Sequence, residues 1–292
     1  MLTIQEAFTK FKAKISEPTE KERKDASRRQ QDIRAVMDRE FDVARDFLSG
    51  SYARHTKTKP LKDVDIFCVL GDDERPYRKK HPSDLLEAVA KVLRAEYGKS
   101  NVDPQRRSVS VDFGSTEDET VMSFDVVPAF DCGKHYEVPD TTSSKQWTQT
   151  DPEIHKEKAT KKHQAYSNEW KGLVRMIKTW NREHSKPVKP SFLLEIMALD
   201  LFDGEFGGDY RYELKGFFSS AAERIFDDWP DPAGLGPDVS DSMDTPARTL
   251  ARTALLGAAN LASRAIQLEK QGNVGEALRI WQTVFGPQFS MS

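Results

Sequence analysis

The stretch Gly50-Ser-Tyr-Ala-Arg-His-Thr-Lys-Thr-Lys-Pro-Leu-Lys-Asp-Val-Asp-Ile-Phe67 decides the reading of this chain. Its second half runs on as KDVDIFCVL, residues 62–70, rich in β-branched and aromatic residues and closed by Gly-Asp-Asp, so it reads as a strand with a turn signal. Side chains at i and i+2 of a strand share a face. Asp63 and Asp65 therefore lie together on one face, with Val64 and Ile66 on the other. Two carboxylates that close repel, and each resists ionisation unless a cation compensates them. Such an oxygen-rich pair suits Mg²⁺, which keeps several waters and borrows further ligands from phosphates. Upstream, Gly50-Ser51 stands at a turn entering a helix, offering backbone N–H groups and a hydroxyl to phosphate oxygens.

A third acid completes the pattern. Asp125 interrupts the apolar strand SFDVVPAF, where a buried carboxylate without a partner is costly. Placed on a strand beside Asp63 and Asp65, it makes a three-carboxylate cluster able to hold two metal ions. Asp112, in VSVDFG, is the rival third acid and ranks lower because it lies near a strand end beside a turn.

Working outward, residues 3–16 and about 19–40 have helical spacing with heavy charge, and DVARDFLSGS reads as a short strand entering the Gly-Ser turn. PSDLLEAVAKVLRAEYG is an amphipathic helix closed by Gly98, and RRSVSVDFG and TVMSFDVVPAF are further strands. A mostly polar segment, 131–167, separates this strand-rich part from a helical one. There, Trp170, Leu173, Val174, Ile177 and Trp180 fall at helical spacing, and SFLLEIMALDLF starts a helix with Ser191 as its N-cap. More helices are expected near 209–227, 246–270 and 274–284, with a long loop at 228–246.

Composition narrows the function. With 44 Lys and Arg against 47 Asp and Glu, the net charge is −3, so no global positive field grips a long nucleic acid. Two cysteines, Cys68 and Cys132, exclude a disulfide framework and a four-cysteine zinc site, and they point to a reducing cytoplasm. The N-terminal residues lack a signal-peptide core and no stretch reaches the length of a membrane span, so the expectation is a cytoplasmic protein without membrane partners. Walker A, strand-linked GxGxxG and HExxH motifs are all missing. The basic run HKEKATKKH, 155–163, reads as a solvated helical face.

Gly-Ser, Asp-x-Asp and a third Asp in an apolar strand resemble the pattern of polymerase-beta-like nucleotidyltransferases. GSYARHTKTKPLKDVDIF with FDVVPAF is similar, more closely, to the cGAS/DncV-like bacterial enzymes that make cyclic oligonucleotides in antiphage defence (CBASS). LVRMIKTWNREHSKPVKPSFLLEIMAL resembles the family's Lys-x-Trp helix and following Ser-aromatic helix start, and ALRIWQTVFGPQF resembles its closing segment. The matches run from about residue 49 to 288.

The resemblance implies an α+β fold: a nucleotidyltransferase lobe with a mixed sheet, residues 1–165, and an α-helical lobe, 166–292, with a cleft between them. It implies that Asp63, Asp65 and Asp125 bind two Mg²⁺ or Mn²⁺ ions and carry catalysis. Gly50 and Ser51 would hold the triphosphate of the incoming nucleotide, with Lys178 and Ser191 reaching it from the helical lobe. ATP and other NTPs are the implied substrates, a cyclic di- or trinucleotide the product, and pyrophosphate the leaving group. A HORMA-type regulatory protein and an effector that binds the product are the implied partners. The residues alone leave open linear extension, or transfer to a tRNA, a protein or a small molecule. A non-catalytic nucleotide-binding protein has little use for three clustered carboxylates. Neither base choice nor linkage is readable.

Overall fold

The computed structural model describes residues 2–16, 18–59, 63–114, 123–142 and 146–291. Lys62 and residues 120–122, included in the expected strands, lie outside them. The chain divides into two compact units: Glu17–His55 with Lys59–Lys156, and Met1–Ser16 with Thr56–Thr58 and Glu157–Ser292.

The first unit is built on a mixed sheet of seven strands among the described residues. These are β1 (Val43–Leu48), β2 (Asp63–Leu70), β3 (Val102–Pro104), β4 (Val109–Asp112), β5 (Ser123–Asp131), β6 (Tyr136–Pro139) and β7 (Trp147–Thr150). The order is β1-β2-β5-β4-β3, with β6 paired to β5 and β7 to β6. β2 and β5 are parallel, and the other pairs are antiparallel.

Period-two alternation sorts the two faces of this sheet. Val64, Ile66, Cys68 and Leu70 of β2, with Phe124, Val126 and Phe130 of β5, enter a core with Ala26, Ile33 and Met37 of α2 (Glu20–Met37) and Leu85, Leu86, Val89 and Leu93 of α4 (Pro82–Tyr97). Phe67, Val69 and Ala129 take the opposite face and cluster with Tyr136 and Val138. By the same alternation, Asp63, Asp65 and Asp125 belong to that opposite face, away from α2 and α4.

The second unit gathers α1 (Ile4–Lys14), α6 (Trp170–Glu183), α7 (Ser191–Leu201), α8 (Tyr210–Arg224), α9 (Thr245–Lys270) and α10 (Val274–Phe285) around an aromatic core. The expected division at 165/166 placed α1 with the strands. Its apolar stripe decides otherwise: Phe8 meets Trp281 edge-on at 4.9 Å between centroids, and Phe11 lies 4.9 Å from Phe285. A capping box of Thr3 and Glu6 starts α1, and another of Thr19 and Glu22 starts α2.

The segment 131–167, expected to be polar connection, holds β6, β7 and α5 (Pro152–Ala165). Two strands of four residues are too short to show a period, and α5 has no apolar stripe. No helix among the described residues is long and apolar enough to cross a membrane.

Candidate active site

The site grows from the parallel pair β2 and β5. Their register sets Asp65 directly beside Asp125, and Asp63 beside Ser123. On the other side of β5, Ser110 of β4 stands opposite Asp125. The three acids therefore occupy one patch of the open sheet face. The Ser123 hydroxyl donates to Asp63 Oδ1 at 2.7 Å, which fixes one carboxylate of the pair. Burial first, then the Asp65 and Asp63 carboxylates, push Asp125 up to about 6, against a hydrogen bond from Ser110 that pulls it down. The sheet thus holds Asp125 in a place that disfavours its charge. A cation between the acids removes that penalty, and the all-oxygen donor set fits a hard divalent ion.

Gly50 and Ser51 lie in α3 (Gly50–Ala53), directly after β1. The Ser49 N–H donates to the Asp65 carbonyl at 2.8 Å, pinning the turn to β2. Gly50 has φ +60°, and a β-carbon there would fall 1.7 Å from Asp65 Oδ2. Only glycine lets the turn approach the carboxylate this closely. Asp112 ends β4, is exposed, and accepts from the Gly114 N–H at 2.7 Å, so it serves its own turn.

Lys178, on α6, is buried and ion-paired with Glu195 Oε1 of α7 at 2.8 Å, while Glu195 Oε2 accepts from the Thr56 hydroxyl at 2.7 Å. Arg175 and Lys171, one and two turns earlier on α6, are also buried. Ser191 is exposed and is the first residue of α7, with Pro190 in the cap position, so the expected N-cap is displaced by one residue. Phe192 is half-buried against the helical core.

Sequence reasoning missed Ser110, Ser123 and Glu195. Ser123 had a positional signal, two residues before Asp125 on the same strand face, but its bond to Asp63 and the place of Ser110 depend on strand register. Glu195 had one as well, a lone acid inside the apolar run SFLLEIMAL.

Paired carboxylates on parallel neighbouring strands, faced by a glycine turn, make an oxygen-rich site that fits a hard divalent cation. Residues 2–163 match the family described as Second Messenger Oligonucleotide or Dinucleotide Synthetase domain. A probable cyclic nucleotide synthase of Bacillus cereus is 28% identical over 274 residues, covering 82% of this chain and 80% of the relative. A cyclic AMP-AMP-AMP synthase of Acinetobacter is 26% identical over 268 residues, covering 84% and 73%. Among solved structures, CdnC of Escherichia coli with ATP superposes with a TM-score of 0.75 at 21% identity, covering 98% of both chains; CdnC in complex with HORMA gives 0.72 at 22% identity, again over 98% of both chains. The chain belongs to the Second Messenger Oligonucleotide or Dinucleotide Synthetase family.

Proposed function

We propose that this enzyme joins ATP, alone or with other NTPs, into a cyclic di- or trinucleotide second messenger of bacterial antiphage signalling, with Asp63, Asp65 and Asp125 holding two Mg²⁺ ions. The observation that carries the proposal is the register of Asp65 against Asp125, which crowds charge where Asp125 is already disfavoured as an anion. Cations bound there neutralise the triphosphate and acidify the attacking ribose hydroxyl. Asp63 is kept in place by Ser123, and Asp125 by Ser110. Gly50 and Ser51 present the α3 turn to the triphosphate. Lys178 and Ser191 supply further phosphate contacts; an ammonium has three donors, so the bond to Glu195 leaves capacity for phosphate oxygens.

ATP as a substrate is favoured by the relatives named as cyclic AMP-AMP-AMP synthases and by the ATP-bound CdnC. The CdnC:HORMA complex supports a HORMA-type regulator for this chain as well, and a cyclic product calls for an effector that binds it. The free Cys68 and Cys132 favour the cytoplasm as its compartment. The test is incubation of purified protein with all four NTPs and Mg²⁺ or Mn²⁺, phosphatase treatment, and mass spectrometry of what survives. A phosphatase-resistant cyclic product containing adenosine supports the reading. Products that are wholly phosphatase-sensitive overturn it in favour of linear extension.

A further inference from the structure

The tip of the β5–β6 hairpin carries a cluster of side chains that the carboxylate site does not use. β5 ends at Asp131, β6 begins at Tyr136, and these two residues pair. One step further, Cys132 stands opposite His135, and its N–H donates to the His135 carbonyl at 2.9 Å. Residues directly opposite across a ladder share a face, and so do residues two apart along a strand. Cys132, His135 and Glu137 therefore project from one face of the hairpin. One atom from each, a thiol sulfur, an imidazole nitrogen and a carboxylate oxygen, all lie within 4.8 Å of one another. All three residues are half-buried.

The backbone fixes this arrangement. Gly133 has φ +82°, and its N–H donates to Asp131 Oδ1 at 2.7 Å, so the four-residue turn is held from within. Arg78 donates to Glu137 Oε2 from Nε at 2.9 Å and from Nη2 at 2.5 Å. Both bonds fall on the same oxygen, so a cation taken by Oε1 does not need to displace the guanidinium. Arg78 then does for Glu137 what outer partners do for metal ligands generally, which is to orient the carboxylate.

We propose that Cys132, His135 and Glu137 form a zinc site at the hairpin tip, with water in the fourth position. Thiolate and imidazole favour a borderline-soft ion over Mg²⁺, whereas the all-oxygen carboxylate site suits a hard ion such as Mg²⁺. Three protein ligands and a water make a known zinc coordination. Tetrahedral ligands at about 2.0–2.3 Å from the ion stand roughly 3.3–3.8 Å apart, within reach of the present cluster by side-chain rotation. On binding, the Cys132 thiol gives its proton to solvent as the sulfur–zinc bond forms. The ion would tie β6 to the end of β5, the strand that carries Asp125. The proposal stands on the hairpin alone and does not depend on the identity of the nucleotide product.

The test uses the whole chain, stripped with a chelator and titrated with Co²⁺ as a spectroscopic substitute for Zn²⁺. The expected result is a sulfur-to-cobalt charge-transfer absorption that saturates stoichiometrically and is bleached by Zn²⁺. It should vanish in Cys132→Ser, weaken at least about tenfold in apparent affinity in His135→Ala, and persist in Asp63→Asn. No such absorption in the parent protein overturns the proposal. So does an absorption that survives Cys132→Ser, which would place the ion at Cys68, and so does cobalt binding that disappears with Asp63→Asn, which would place it at the carboxylates.

Discussion

The backbone of Gly50 lies so close to the Asp65 carboxylate that a β-carbon at position 50 would stand 1.7 Å from Asp65 Oδ2. The turn before the strand and the acid on the strand are thus built as one object, joined also by the Ser49 N–H to the Asp65 carbonyl. Gly50→Ala forces the carboxylate aside and places alanine at a φ of +60°. The carboxylate is the mobile end of a side chain, so the fold should survive with a loss of about 1–3 kcal/mol. Turnover should fall at least about 100-fold, because a ligand moved by an ångström no longer serves the reacting centre. Steady-state kinetics and a thermal melt, run together, separate the two effects.

Asp125 makes stability depend on pH in an unusual direction. Its folded pKa of about 6 lies above the ordinary carboxylate value, so the native state holds the proton more tightly than the unfolded chain does. Without divalent ions, its contribution is fully present below about pH 4 and is lost as the pH rises through about 6. Asp125→Asn should therefore stabilise the metal-free protein at pH 7.5 by about 2–3 kcal/mol. A rise in melting temperature with Mg²⁺ is expected of the parent and should be lost in the same variant. Melts at several pH values, with and without Mg²⁺, check both signs.

Lys178 and Glu195 form a buried ion pair with the Thr56 hydroxyl as third member. Lys178→Met removes the buried cation that pairs with Glu195, and should cost about 3–5 kcal/mol. Lys178→Met with Glu195→Met removes both charges and should recover most of that loss. If Lys178 also holds phosphate, the double variant will be stable yet still show a raised KM for ATP. Chemical denaturation and kinetics on the single and double variants distinguish the two roles.

Asp140 shows the opposite pH behaviour. It is fully buried and accepts hydrogen bonds from Arg106, Arg107, Thr142 and Thr148. Burial alone would raise its pKa, but the bonds from Arg106, Arg107 and Thr142 outweigh it and hold the carboxyl well below the usual range. Its contribution is present above about pH 4 and is lost as the pH falls below that. Asp140→Asn should cost about 3–5 kcal/mol at neutral pH and progressively less in acid. Acid titration of both proteins by circular dichroism measures the convergence.

Much of this was legible in the residues because the site follows period-two geometry. Asp63 and Asp65 share a face in any strand, and Asp125 announced itself as a charge in an apolar run. Strand neighbours were not legible, since register depends on pairing partners far apart in the chain. Hence the roles of Ser110 and Ser123 emerged only from the β4–β5–β2 ladder. The placement of α1 also escaped the sequence, because its partners Trp281, Phe285 and Phe289 lie at the other end of the chain. β6 and β7 are too short for a pattern to show, and Glu195 is not legible because Lys178 reads as a phosphate ligand or a solvated lysine, not as half of a buried ion pair.

The proposed reacting centre is the set of three carboxylates on β2 and β5, which would carry metal-assisted nucleotidyl transfer. Pyrophosphate release from ATP at saturating Mg²⁺, compared between the parent and Asp125→Ala with matched circular dichroism spectra, tests it most directly. A loss of at least about 1,000-fold is expected, the scale seen when electrostatic stabilisation of the reacting centre is removed. Activity within tenfold of the parent would contradict it and send the search for the reacting centre away from this sheet face.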